Sequence, residues 1–469
     1  RFYEEKLNLK FENKWVVDLT GAAEKLALAI SSNDLPDVFT VDKETLKRLY
    51  DNDQIADMTD LIDQYKAPVL DQILDVQDGD NFIPATFNGR TYGIPLITGF
   101  LDYVAIVYIR TDWMERYDLD APETMQDIID IAQTFVDNDA SGMGKTIGIA
   151  MDSAYNFFCG GGTMKLFANS LKAYPGSWVK DSTNKLVCGD IQPEMKQALK
   201  MMQDAYANGL FDTEFAVKDY SKMVETITSG QCGIAPGPFY FPIWPLNQLA
   251  GVSETTDWTP YSFPVDADGK ITTQIPLAAS TWVVVRKDYE HPEAALKAMS
   301  LWSEILDGEH TDWYYETTAS EKYAEVGSIM NNYALPAFFT YPGEVTKQGQ
   351  HLEAARETGD TSSLTPYEKS QYDVLIAGGL GAWGVQRALI DVGKVLESYE
   401  YITSEFLGAP TATMLTKNVA LNKLINDTYT KIIMGQDIDT FDEFVEQWYD
   451  EGGEEITAEV NEWYQSTLG

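Results

Sequence analysis

The period of the hydrophobic pattern changes along the chain, and the changes mark out its elements. The stretch Gly93–Trp113, reading GIPLITGFLDYVAIVYIRTDW, holds a turn, a polar interruption at Thr98–Gly99 and then the apolar run Tyr103–Ile109. A run of this length bounded by turn residues predicts a strand buried on both faces. Upstream, Asn8–Phe11 reads as a short strand and Gly21–Ile30 as a helix with Leu26, Ala29 and Ile30 on one face. Asp37–Val41 reads as a strand, Lys43–Tyr50 and Met58–Leu70 as helix, and Asn88–Gly89 as a hairpin turn. Strand alternating with helix points to a mainly parallel sheet.

Arg110–Asp112 leads into a second strand–helix series, so the apolar run is expected to carry the chain from one lobe to another across a cleft. Met125, Ile128, Ile129, Ala132 and Phe135 make one helix face, Ile147–Met151 reads as a strand, and Glu194–Asn208 is a helix closed by Gly209. Cys232–Ala235 is a strand entering the loop Pro236–Pro245, which holds four prolines and four aromatics. Trp282–Arg286 is another buried-type strand, followed by a helix with Leu296, Met299, Trp302, Ile305 and Leu306 as its stripe. The chain is therefore expected to cross back near Ala279, with a further crossing at Tyr333–Pro342. The end is helical: Thr440 and Glu443 fit a capping box, Phe441, Phe444, Val445 and Trp448 repeat at helical spacing, and Ile456, Val460, Trp463 and Tyr464 follow Gly452–Gly453.

Composition narrows the function. A chain of 469 residues suggests two or three units. Lys and Arg number 34 against 73 Asp and Glu, for a net charge of −39, and such a surface repels phosphate backbones and anionic lipid. Nucleic acid is not an expected partner. Cys159, Cys188 and Cys232 form no CxxC pattern and read as buried small hydrophobes. No apolar run reaches the roughly 18 residues of a membrane span, and Arg1 starts in mid-pattern as in a trimmed mature product. Aromatics are 12% of the chain, with 26 Tyr and 11 Trp. Their flat apolar faces and polar edges suit sugars.

Catalytic patterns are weak. His291, His310 and His351 lie far apart with no HExxH or Cys/His cluster, no GxSxG elbow occurs, and carboxylate pairs arise by chance among so many acids. Gly160–Thr163 lacks the lysine of a phosphate loop. Asp137–Gly142, reading DNDASG, matches the first six positions of a calcium loop, but the ninth position is Lys145 and the twelfth Gly148, so a polar turn is expected and no metal or cofactor.

Position carries more. In open α/β sheets, ligands sit outside the carboxyl ends of the strands. The junctions there hold Asp42 and Lys43, Tyr155 and Asn156, and Phe239, Tyr240, Phe241 and Trp244. Phe100 and Asp102 at the proposed crossing, Trp282 at the return and Trp383 in GGLGAWG join them. Rings beside carboxylate and amide groups resemble a sugar site.

The ordered set LPDVF (35–39), GRTYGIP (89–95), YIRTDWMERYDLDAPETMQDI (108–128), HPEAALKAM (291–299) and KIIMGQDIDTFDEFVEQWYDEGGEEITAEVNEWY (431–464) resembles the extracellular solute-binding proteins of carbohydrate ABC importers, a group that includes maltose-binding protein and, more narrowly, the LplA-like lipoprotein branch. The resemblance implies an α/β, type II periplasmic-binding fold: two α/β lobes, an interlobe cleft and a helical C-terminus, with lobes at 1–102 plus 281–335 and 103–280 plus 336–469. It also implies a monomeric, lipid-anchored extracytoplasmic protein that binds a neutral oligosaccharide and delivers it to ABC permease subunits. The family's lipobox cysteine, first strand and most of the first helix would precede Arg1. A peptide-binding protein of the same fold and a glycoside hydrolase are the alternatives.

Overall fold

Four residues, Val38–Val41, reading VFTV, form an edge strand whose Phe39 and Val41 point inward, as β-branched and aromatic residues on one pleated face should. The computed structural model describes residues 2–17, 21–97, 104–154, 162–251, 255–307 and 344–467. By contact the chain divides into two compact units, Arg1–Gly99 with Leu277–Pro342 and Leu407–Pro410, and Phe100–Pro276 with Gly343–Phe406 and Thr411–Gly469. Among the described residues no helix is long and apolar enough to cross a membrane.

In the first unit the sheet order is Val38–Val41, Ala279–Val285, Ile94–Ile97. The central strand runs antiparallel to both neighbours, with Val38 opposite Val285 and Ile94 opposite Val283. The expected parallel sheet is thus corrected: the two early strands share a direction but are separated by a late one. Leu46 and Leu49 of helix Lys43–Asp51 are fully buried, and that helix packs on Ala279–Val285. The Asn88–Gly89 hairpin forms as expected, both residues having positive φ of 53° and 74° between the pairs Phe87–Arg90 and Thr86–Thr91.

Two expectations for this unit fail locally. Asn8–Phe11 is not a strand: helix Phe2–Leu7 runs into Asn8 at φ 54°, whose amide donates to Glu4, and no strand pairs with it among the described residues. Met58–Leu70 is two helices, Thr59–Tyr65 and Pro68–Leu74, because Pro68 forces Ala67 into an extended conformation.

The second unit holds a four-stranded sheet in the order Trp258–Tyr261, Ile106–Arg110, Cys232–Gly237, Ile147–Ile149. The last pairing is parallel and the others antiparallel. Every residue of Ile106–Arg110 is buried, in keeping with its unbroken apolar pattern. Buried Arg110 is matched by Asp112 at 2.7 and 2.6 Å and lies over the Trp113 ring. Helix Met125–Asp137 starts from a capping box of Thr124 and Asp127 and buries Met125, Ile128, Ile131, Ala132 and Phe135. Near the end of the chain Asp439, not Thr440, precedes helix Thr440–Trp448 and no side chain caps it, so the expected capping box does not form. Phe441, Phe444 and Trp448 are nonetheless buried, and Gly452 at φ 131° turns the chain into Glu454–Thr467.

Candidate functional site

The aromatic loop of the second unit begins at Gly237, the last residue of its strand. A Cβ there would lie 2.1 Å from Phe241 Cε2, so only glycine lets that ring fold back across the strand end. Phe241 is fully buried and stacks on Tyr108 with centroids 5.8 Å apart. The Tyr108 hydroxyl donates to the Pro238 and Phe239 carbonyls, and burial pushes its pKa well above the ordinary value. Held by this anchor, the chain makes a tight turn in which the Ile243 and Trp244 amides donate to the Tyr240 carbonyl at 2.8 and 2.9 Å. Tyr240 stays half-buried against Phe239, while Trp244 stands 41% exposed with the Tyr220 ring 6.0 Å away.

Helix Gly379–Val385, reading GLGAWGV, lies against this loop. A Cβ on Gly384 would be 3.6 Å from the Pro242 carbonyl oxygen, ordinary van der Waals contact that places the helix directly against the loop. The helix presents Trp383 half-buried, its indole N–H donating to Asp257 Oδ1 at 2.7 Å. The other Asp257 oxygen accepts from Arg387 Nη2 at 2.7 Å, and Arg387 Nη1 donates to Asp391 at 2.9 Å. Ile243 and Leu380 are exposed beside the loop and helix. The result is a surface of indole, tyrosyl and aliphatic groups framed by an ordered acid–guanidinium chain. Such a surface can stack on the apolar face of a sugar ring and present polar atoms to its rim.

Four of the expected site residues, Phe100, Asp102, Tyr155 and Asn156, lie outside the described residues. Tyr240, Trp244 and Trp383 fall on the surface just described. Asp42 and Lys43 belong to the first unit and are exposed, with Asp42 Oδ1 accepting the Thr45 amide at 2.7 Å to cap helix Lys43–Asp51. Trp282 is corrected from stacking platform to core residue. It is 1% exposed, and its indole N–H donates to the Asn81 carbonyl, which leaves no face for a ligand. Asp257, Arg387 and Tyr220 were not anticipated. The four-residue spacing of Trp383, in helix Gly379–Val385, and Arg387, in the π-helical segment Gln386–Asp391 that follows it, was readable, whereas Asp257 lies 126 residues away with no local signal.

The calcium-like turn is filled by the chain's own donors. Asp139 accepts from the Gly144 amide at 2.7 Å and from the Thr146 and Ser141 hydroxyls, bonds that hold its carboxyl below the ordinary pKa. Lys145, at the ninth position, reaches Asp212 instead. Among the described residues no group of three His, Cys, Asp or Glu could hold a metal ion.

Residues 4–303 match the family model described as bacterial extracellular solute-binding protein. The chain belongs to this family. Among solute-binding relatives, it is 26% identical over 264 residues to the fructooligosaccharide ABC transporter substrate-binding protein FusA of Streptococcus pneumoniae, covering 52% of this chain and 46% of that one, so it spans about half that relative's length. It is 23% identical over 401 residues to the lipoprotein LipO of Bacillus subtilis, covering 82% and 73%. Two solved solute-binding proteins superpose with a TM-score of 0.66: FusA in complex with kestose, at 18% identity over 99% of this chain and 94% of that one, and the alginate-binding protein AlgQ2 without calcium ion, at 14% over 99% and 93%. At such identities the likeness is one of fold. This α/β solute-binding fold is the one that the ordered sequence motifs imply.

Proposed function

We propose that this solute-binding protein is the substrate-binding component of an ABC importer, that it captures a neutral oligosaccharide, and that it hands the sugar to membrane permease subunits. The observation that carries the reading is the placement of Trp244 and Trp383 on adjoining segments of the second unit, half-exposed beside a hydrogen-bonded acid. Family membership and the sugar-binding relatives support it. Stacking supplies affinity, and polar atoms at the rim orient the hydroxyls. The protein works outside the cytoplasm as a lipid-anchored monomer and releases its sugar chemically unchanged.

Isothermal calorimetry against a panel of neutral oligosaccharides tests the reading. One class should bind, Trp244→Ala and Trp383→Ala should each weaken it, and chromatography after long incubation should return the sugar intact. Unchanged affinity in both variants would refute the assigned surface, and appearance of shorter products would make the protein a hydrolase.

A further inference from the structure

We infer that Asp257 sets the charge selectivity of this surface: it positions the Trp383 indole and, with Asp391, neutralises Arg387, so that the site takes uncharged saccharides and rejects uronates. The inference rests on the oligosaccharide-binding reading and deepens it.

The argument starts from the guanidinium. Arginine beside an aromatic ring is the group best suited to a carboxylate ligand, because its fork matches two oxygens. Here both ends of the fork are already engaged. Nη2 donates to Asp257 Oδ2 and Nη1 to Asp391 Oδ2, at 2.7 and 2.9 Å. Asp391 is itself fixed by Gln386, whose amide donates to its other oxygen at 2.8 Å. Asp257 Oδ1 is occupied too, by the Trp383 indole and by the backbone amide of Trp258 at 2.9 Å. All three charged side chains are largely shielded, with exposures of 22% for Arg387, 34% for Asp257 and 23% for Asp391.

One cation shared by two carboxylates leaves a net negative charge beside the stacking ring. A uronate approaching Trp383 meets that charge, and because Nη1 and Nη2 of Arg387 each already serve a carboxylate, paired binding across the fork must compete with an intramolecular partner. A neutral sugar carries no such penalty. Asp257 thereby joins two tasks in one residue: one oxygen orients the ring and the other silences the cation. It is a positioning residue, acting on the ligand through Trp383 and Arg387.

The test compares wild type with the Asp257→Asn/Asp391→Asn double variant and with a triple variant adding Arg387→Gln, using kestose, maltotriose, xylotriose and cellotriose as neutral probes and trigalacturonate as the charged one. The wild type should bind a neutral probe at least about tenfold more tightly than trigalacturonate. The double variant should gain about tenfold or more for trigalacturonate, the gain should shrink as salt is raised, and it should vanish in the triple variant. The near-ultraviolet circular dichroism band that Trp383→Phe removes should persist in the single Asp391→Asn variant, where Asp257 still holds the ring. Should the double variant fail to fold, Asp391→Asn alone carries the comparison, with a smaller gain expected. A wild type that prefers trigalacturonate, or a variant that binds neutral sugar with no gain for the charged one, overturns this inference and leaves the proposed function standing. A wild type that binds no probe at all removes the proposed function and the selectivity with it.

Discussion

The ammonium of Lys145 stands 3.1 Å from a carboxylate oxygen of Asp212, so the ninth residue of the calcium-like turn pairs outside the turn, while Asp139 within it is satisfied by the chain's own N–H and O–H donors. Addition of calcium or of a chelator is therefore expected to move the melting temperature by less than about one degree. A calcium-induced rise of several degrees would show the turn to be a working site. Lys145→Met should cost only about 0.5 kcal/mol or less, because the ammonium is half-exposed and screened by solvent. Nor should calcium rescue that variant, since the twelfth position is Gly148, where even a Cβ would press to 3.0 Å from Ala132 Cβ.

Asp212 gives the protein an acid-sensitive joint. Burial works to raise its pKa, but the Lys218 ammonium, the Glu214 amide and Lys145 together hold it below the ordinary 3.8. A carboxyl whose folded value is depressed stabilises the fold fully above its unfolded value and loses that contribution as pH falls through the folded one. The loss should begin near pH 4 and continue downward. In urea titrations, Asp212→Asn should be less stable than wild type at pH 7, and the gap should narrow at pH 3. A gap that stays constant over this range would refute the assignment.

Trp244 and Trp282 separate binding from folding. Trp244 is 41% exposed, so Trp244→Ala should leave the melting temperature nearly unchanged and weaken sugar binding by about tenfold, as loss of a stacking ring does. Trp282 is buried and its indole is bonded to Asn81, so Trp282→Ala should destabilise the first unit by about 3–5 kcal/mol. Calorimetry and denaturation on the two variants check the contrast. Equal stability losses in both would contradict it.

Gly237→Ala attacks the aromatic loop from beneath. The new methyl would fall 2.1 Å from one atom of the Phe241 ring and 2.4 Å from two others, so the ring must leave its seat on Tyr108. A stability loss of about 1–3 kcal/mol is expected, with weaker sugar binding because Tyr240 and Trp244 shift with the turn. Adding Phe241→Leu should restore part of the stability. A Gly237→Ala protein as stable as wild type would show that the loop is not held in this way.

The hydrophobic period made much of the fold readable. Helix Met125–Asp137 and strand Ile106–Arg110 stand within a few residues of their expected limits, because their patterns are long and their caps local. Sheet direction was not readable. It depends on where Ala279–Val285 inserts, which no window around Val38 or Ile94 contains. Asn8–Phe11 carried strand-like alternation with no partner strand among the described residues, and Thr440 carried a capping signal that the chain places one residue inside the helix. At the candidate site the same division holds. Trp244 and Trp383 were legible as aromatics in proline- and glycine-rich sequence, but Trp282 belonged to a buried run whose own pattern argued for the core. The Asp257–Arg387 bond joins distant segments and had no sequence signature.

The central position of Ala279–Val285 also fixes an order of assembly. All four strands of the second unit's four-stranded sheet lie between residues 106 and 261, whereas in the first unit's described three-stranded sheet Val38–Val41 lacks its neighbour until residue 285 has left the ribosome. Contacts so far apart in sequence form late, because closing the intervening chain is entropically slow. Pulse-labelled hydrogen exchange during refolding should accordingly protect Ile106–Arg110 and Cys232–Gly237 before Val38–Val41 and Ile94–Ile97; the reverse order would contradict this. The Val38–Val41 strand is thus made early and completed late, and its open edge waits for a neighbour while more than two hundred further residues are added.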